Sequence, residues 1–475
     1  MICKLLPVLA AVLCLGWIAG AGPASGASAD QPAPAGFEFT SGVPSYDQAY
    51  QKARRGIASD VKDGNFLAGA NWAQVWTRDT SYSVDMACAL LHPDVSKKTL
   101  LGLREEVPGI GECWYQDKCG HFAGWPNLTD AIVGATGAWS LYLVTGDKEL
   151  LRPVYDRTVR SLRRAERDAF HKELGLFGGC STFMESNSGY PKPYAMHGPM
   201  IAKTSALSTN LLYYRGYLIA ARLATILGED GQAFQAKSES LKQAINARLW
   251  LADKGYYAYY LDAQGQPDTR MEGTGESFAI LYGVADAEKT RQILKNTPTT
   301  AWGCPCLWPP YKEWLNYKRD FAHFYHNGMI WPFVEGYWAW AASRSKDADV
   351  FGRELKALVR LSEKSDTFME FYFPEDGKPG GSPRQLWSAS GFLSMIYHGL
   401  FGMEFEENGI RFSPVVPDDL THLTLAKVKY RNSLLTIVID GHGTRIDRFT
   451  LDGRQQKPLF DAALAGPHAI EIRMK

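Results

Sequence analysis

The chain has 475 residues, and its 51 Lys and Arg are balanced by 51 Asp and Glu. With 45% hydrophobic and 21% charged residues it is too apolar for a disordered chain. A net charge of zero with no basic run excludes an electrostatic surface for nucleic acid.

Met1–Ala29 has the layout of a signal peptide: Lys4, an apolar stretch Leu5–Ile18 and a cleavage site at Ala27-Ser28-Ala29, with Ala19-Gly20-Ala21 as a competitor. Export to a periplasm or beyond is therefore expected, with no stable membrane insertion after cleavage, because no later stretch is long and apolar enough to span a bilayer. In an oxidising compartment the six remaining cysteines favour disulfides, with Cys113 and Cys119 as the first pair and Cys304 and Cys306 each pairing elsewhere. Residues 30–43 are rich in Pro, Ala and Gly and read as a linker.

From Pro44 to Leu400 the pattern is helical. Leu128, Ile132, Ala135, Trp139 and Tyr142 recur at three- and four-residue steps until Thr145-Gly146-Asp147, where Gly146 suits a left-handed C′ position and Asp147 can cap the next helix. The same punctuation at Gly228-Glu229-Asp230, Gly283–Asp286, His92-Pro93-Asp94 and Ser343–Asp347 marks helix–short turn–helix units, five with room for a sixth. Between the units lie long aromatic loops, Pro108–Trp125, Gly178–Pro199, Thr297–Asp320 and Phe368–Leu386. The expected fold is mainly α: an (α/α)6 barrel over residues 44–400 with its long loops at one mouth. A small β module follows over residues 401–475, signalled by Leu435–Ile439, Ile470–Met474 and the turns Asp440-Gly441 and Asp452-Gly453.

The sequence contains no P-loop, dinucleotide fingerprint, H-E-x-x-H pair or G-x-S-x-G elbow, so neither a cofactor nor a metal is expected. The loops instead repeat carboxylates among aromatics: Trp76-Thr77-Arg78-Asp79, Met184-Glu185-Ser186-Asn187 and Phe368-Met369-Glu370-Phe371-Tyr372. Trp331, Gln385 and Trp387 add rings and an amide. A pyranose stacks its apolar face on Trp or Tyr and hydrogen-bonds its hydroxyls to Asp, Arg, Gln or Asn. Two carboxylates across a glycosidic bond suffice to hydrolyse it. Each residue also has a structural alternative: an ion pair at a helix start for Arg78-Asp79, core rings for Trp331 and Trp387, a solvated loop for Glu185, and a cap or Arg partner for Glu370. Glu276 is a reserve acid whose place at a helix start favours capping, and His323 and His326, three apart, fit packing or sugar contacts better than a metal.

These motifs, together with Asn327–Pro332 and Gln385–Ala389, resemble the six-hairpin (α/α)6-barrel glycosidases, in particular glycoside hydrolase family 63 and its mannosylglycerate-hydrolase-like relatives, and more distantly the glucoamylases. The resemblance runs from about Phe66 to Leu400 and implies an inverting hydrolase; a blind pocket in which Arg78 and Asp79 anchor the terminal sugar predicts exo action, with an oligosaccharide or small glycoside as partner and α-linked glucosides or mannosides as the first substrates to try. By the resemblance, Glu370 corresponds to the general base, Glu185 stands where relatives often carry an Asp as general acid, and Arg78-Asp79 holds the terminal sugar. Trp76, Asn187, Trp331, Gln385 and Trp387 complete the expected sugar contacts. A phosphorylase, a lyase or epimerase on the same fold, or a non-catalytic glycan binder are the other readings.

Overall fold

Helices that are buried all round alternate along the chain with helices that are buried on one side only. A computed structural model describes residues 36–118, 124–184, 187–194, 197–315 and 325–475. The signal-like segment Met1–Ala29 lies outside these residues. Outer helices α1 (Pro44–Ser59), α3 (Pro93–Gly102), α5 (Leu151–Asp168), α7 (Gln232–Arg248), α9 (Ala287–Asn296) and α11 (Ala348–Ser362) each bury a single stripe; in α5 it carries Val154, Thr158, Leu162 and Ala165. The inner helices are α2 (Thr77–Ser83, continuing through a π turn at Val84–Cys88), α4 (Val133–Thr145), α6 (Leu207–Ile226), α8 (Gly273–Leu281), α10 (Pro332–Arg344) and α12 (Leu386–Ser394, continuing through a π turn at Met395–Leu400). Every residue of α8 and α12 is buried.

Each inner helix packs on the next, and α12 packs back on α2, so the inner layer is a closed ring. At the α10–α12 crossing Gly336 and Gly391 meet backbone to backbone, where any side chain would clash. The punctuation glycine works as expected: Gly146 takes φ 69° after α4 and donates to Tyr142 O at 2.7 Å, and Asp147 accepts from Glu149 N at 3.0 Å.

The short turns join the C-terminus of an inner helix to the N-terminus of an outer one, so all inner helices run the same way. The long connections therefore all arrive at the inner helices' N-termini. This end is the mouth, and it collects the loops that carry the candidate residues.

The expected linker includes a strand. Glu38–Thr40 (β1) pairs antiparallel with His422–Tyr430 (β4) and buries Phe39, so the linker reading is corrected for these residues. Three-residue alternation is too short to register in a stretch rich in Pro, Ala and Gly. The C-terminal module also contains Met403–Glu406 (β2), Gly409–Phe412 (β3), Ser433–Asp440 (β5), Ile446–Leu451 (β6), Arg454–Gln455 (β7), Leu459–Asp461 (β8) and Gly466–Met474 (β9). One sheet has the order β1-β4-β5-β9-β6-β7, with β5 and β9 parallel, and β2-β3-β8 forms a second. Asp452 and Gly453, both with positive φ, make the tight turn between β6 and β7. β2 packs on α4 and on the π turn of α12.

No helix among the described residues is long and apolar enough to cross a membrane. Cys88, Cys113, Cys304 and Cys306 are buried thiols. Cys119, the expected partner of Cys113, lies outside the described residues. The expected pairing of Cys304 and Cys306 elsewhere is not found: the Cys304 amide donates to Glu354 at 2.8 Å, and the Cys306 thiol faces His326 O at 3.4 Å.

Candidate active site

Glu370 ends a loop at the mouth, just before the hairpin formed by Phe371–Tyr372 and Pro379–Gly380. Tyr372 exchanges both backbone hydrogen bonds with Ile330, at 2.8 and 2.9 Å, which ties this hairpin to the segment entering α10. The Glu370 side chain is 1% exposed. Its Oε1 accepts from Trp72 Nε1 at 3.0 Å and from the Tyr325 hydroxyl, and its Oε2 accepts from Ser382 N at 2.7 Å. The carboxylate plane is thereby fixed from three elements. The close approach of Ser382 needs Gly381 at φ +76°: a Cβ there would stand 2.4 Å from Glu370 Oε2.

Beside it, α2 and α12 bring their first turns together. Gln385, the N-cap residue of α12, donates through Nε2 to Asp79 Oδ1 at 3.0 Å. Arg78 and Asp79 are 2% and 0% exposed. Asp117, from the loop Pro108–Trp125, accepts from Thr77 N at 2.9 Å and from Arg78 N at 3.3 Å, so a distant carboxylate satisfies the amides opening α2. Burial pushes the Asp117 carboxyl up, and the Arg78 charge opposes that rise. Arg78 also acts on His326, whose imidazole is held well below its ordinary range by burial first and by Arg78 second. Arg78 thus lies buried within electrostatic reach of both Asp117 and His326, in a dry setting suited to holding sugar hydroxyls.

Trp72 and Trp76 are half-exposed rings at the mouth, 5.6 Å apart between centroids. They are better placed for a sugar face than Trp331 and Trp387, which are 1% and 4% exposed. Trp331 stacks on His326 and Phe371, and Trp387 stacks on Phe333 at 4.2 Å. The structure gives these two rings packing partners beneath the site, the core alternative for both.

Glu185, the expected acid, lies outside the described residues, as does His323. Asn187 opens a 3-10 turn, Asn187–Gly189, and its side chain lies outside the described atoms. The flanks of Glu185 are described. Phe183 meets Trp331 and His326 edge to face at 5.2 and 5.3 Å, and Ser188 Oγ accepts from His326 N at 3.0 Å. His326 follows Tyr325, which bonds Glu370. The chain on both sides of Glu185 is therefore anchored to the residues that surround Glu370. Glu276, the reserve acid, accepts from Tyr257 N at 2.9 Å inside the protein, so it ties α8 to its neighbouring hairpin.

Sequence reading passed over Trp72, Asp117, Ser382 and Glu272, and it offered Tyr325 only as a proton-abstracting group for a lyase or epimerase. Glu272 is the N-cap residue of α8 and is fully buried. It accepts from Ser181 Oγ at 2.5 Å, Ser208 Oγ at 2.6 Å and Ser208 N at 3.2 Å, joining the loop that leads to Glu185 to the start of α6. Burial raises its carboxyl from 4.5 to about 7, with the bonds from Ser181 and Ser208 opposing the rise. A pKa raised on folding means that the protonated form favours the fold. Its contribution is complete below pH 4.5 and is lost as pH climbs through about 7. The loss is on the order of 3 kcal/mol. Glu272→Gln is expected to flatten this slope: from pH 4.5 to 7 the melting temperature of the variant should fall several degrees less than that of the wild type, as read by calorimetry.

The sequence pattern of the mannosylglycerate hydrolase MGH1-like glycoside hydrolase domain matches residues 126–388, more than half of the chain. That of the glycosyl hydrolase family 65 C-terminal domain matches residues 403–455. The mannosylglycerate hydrolase of Rubrobacter radiotolerans is 26% identical over 193 residues, which are 40% of this chain and 43% of that protein. The matched stretch therefore spans less than half of the curated relative. The solved family 63 mannosylglycerate hydrolase of Thermus thermophilus in complex with glucose superposes with a TM-score of 0.60 and 16% identity, over 73% of this chain and 100% of its own. A family 78 rhamnosidase of a Bacillus species superposes with a TM-score of 0.61 and 14% identity, over 93% of this chain and 44% of its own. At these identities the likeness to the solved structures is one of fold.

Proposed function

The chain belongs to the mannosylglycerate hydrolase MGH1-like glycoside hydrolase family, and we propose that it is an exported, inverting, exo-acting hydrolase of a terminal α-linked mannoside or glucoside. The observation that carries this reading is the Glu370 carboxylate, fixed by Trp72, Tyr325 and Ser382 at the mouth where Gln385 holds Asp79. A general base must keep its lone pairs in one orientation while a water is placed against it. A carboxylate held from three elements does that without reorganising during the reaction.

In this mechanism Arg78, Asp79 and Gln385 grip the hydroxyls of the terminal sugar, and Trp72 and Trp76 lie against its apolar face. Glu185 protonates the glycosidic oxygen as the bond breaks. Glu370 takes a proton from a water on the opposite face, which attacks the anomeric carbon and inverts it. The two carboxyl groups then need a separation of roughly 6.5–9.5 Å to admit the water, against about 5 Å for a retaining pair. Export rests on the layout of Met1–Ala29.

A panel of small α-mannosides and α-glucosides, α-mannosylglycerate first, with the product anomer followed by proton NMR, tests substrate and stereochemistry together. The expected first product is the β-anomer of the free hexose. An α-anomer appearing first would overturn the inverting mechanism, and no turnover on any α-glycoside would overturn the substrate class.

A further inference from the structure

A cavity lies at the end of the barrel opposite the mouth. Its volume is about 540 Å³, within the range of small-molecule sites. All six inner helices run from the mouth toward it, and each contributes to its wall: Asp85 from the π turn of α2, Trp139 from α4, Arg215 from α6, Tyr282 at the end of α8, Trp340 from α10 and His398 from the π turn of α12. The hairpin β2–β3 closes it from below with Glu404 and Arg411. Both π turns of the inner ring line this one cavity. Such turns widen a helix at the cost of regular hydrogen bonding, and they recur at functional sites.

The wall chemistry selects the ligand. The Tyr282 hydroxyl and Arg215 Nε are buried and have no hydrogen-bond partner within the protein. The Arg215 guanidinium lies over the Tyr282 ring at 5.4 Å. Asp85 is 8% exposed and accepts from Tyr337 OH at 2.8 Å and from Ser140 Oγ at 2.5 Å. Trp139, Tyr282 and Trp340 supply apolar wall, with Trp340 held by stacking on His398 at 3.9 Å. An anion would meet the negative ends of six parallel helices together with Asp85 and Glu404. A cation would meet Arg215 and Arg344, and the acids beside them are already taken, Glu404 and Glu406 by Arg411 and Glu407 by Arg222. What remains is a neutral molecule with apolar faces and many hydroxyls, able to accept from Arg215 and Tyr282 and to donate to carboxylates.

We propose that this far-end cavity is a second saccharide-binding site, separate from the hydrolytic mouth. It binds a mono- or disaccharide without cleaving it, and it does not depend on the hydrolytic reading of Glu370.

Hydrogen–deuterium exchange on the full chain, with and without maltose or D-mannose at high millimolar concentration, reads the site locally. The expected result is a slowing of about threefold or more in peptides covering Val84–Leu91 and Met395–Phe405. It should be equal in wild type and in Glu370→Gln, and lost in Tyr282→Phe and Arg215→Met. Tyr282→Phe deletes only a hydroxyl with no partner in the protein, so it carries the test if Arg215→Met fails to fold. Three outcomes would overturn the proposal: slowing confined to the mouth peptides, slowing that survives Tyr282→Phe, or slowing produced by choline chloride or sodium sulfate and not by sugar.

Discussion

Glu370→Gln is expected to lower kcat on an α-glycoside by about 10³-fold, within the range of a lost general base, while KM changes by less than about threefold. Gln385 holds Asp79 through its own amide at 3.0 Å, and a carboxamide at 370 can still accept from Trp72, so ground-state binding should largely survive. What is lost is the acceptor for the water's proton, which matters only as the anomeric carbon is attacked. The substitution also disturbs its surroundings in a foreseeable way. Trp72 Nε1 and Ser382 N both donate, to different oxygens of the carboxylate. A carboxamide can satisfy only one of these fixed donors and turns its NH2 on the other, at about 1–3 kcal/mol. The melting temperature should therefore drop by a few degrees with the fold retained, and steady-state kinetics beside a thermal melt separates the two effects. A variant that keeps more than about a tenth of the wild-type kcat would remove Glu370 from the role of base.

The outer helices were legible because one-sided burial leaves a 3.6-residue period in the sequence, and the turns were legible because Gly146 and Asp147 have few other uses in that order. The helix starts also carried information, since Arg78, Asp79 and Gln385 open inner helices whose N-termini all face the mouth. Partnerships between distant segments were not legible. Trp72 reaches Glu370 across 298 positions and Gln385 reaches Asp79 across 306, and no local pattern encodes either pairing. Asp117 looks like an ordinary loop acid until the fold sets it under the amides of Thr77 and Arg78. Trp331 and Trp387 show the converse. A tryptophan at the start of an inner helix can face the cavity or the neighbouring helix, and only packing decides; here Phe371, His326 and Phe333 already cover these rings. The strand Glu38–Thr40 was missed because its partner lies nearly 400 residues away.

Glu185→Gln should behave differently from Glu370→Gln, and the difference assigns the two roles. A general acid is needed in proportion to how poorly the leaving group carries negative charge. On an alkyl or glycerate α-glycoside, whose alkoxide is a poor leaving group, the variant is expected to lose about 10²–10⁴-fold in kcat. On a glycosyl fluoride or dinitrophenyl glycoside the departing anion is stable without a proton, so the loss should be less than about tenfold. Glu370→Gln should lose heavily on both, because water must be deprotonated whichever group leaves. The pH profile gives a second, independent reading. The acid works only while protonated, so wild-type kcat should decline on the alkaline side, and that limb should vanish in Glu185→Gln while the acidic limb set by the base remains. Equal losses on both substrate types, with the alkaline limb intact, would remove Glu185 from the role of acid and leave Glu370 without its assigned partner.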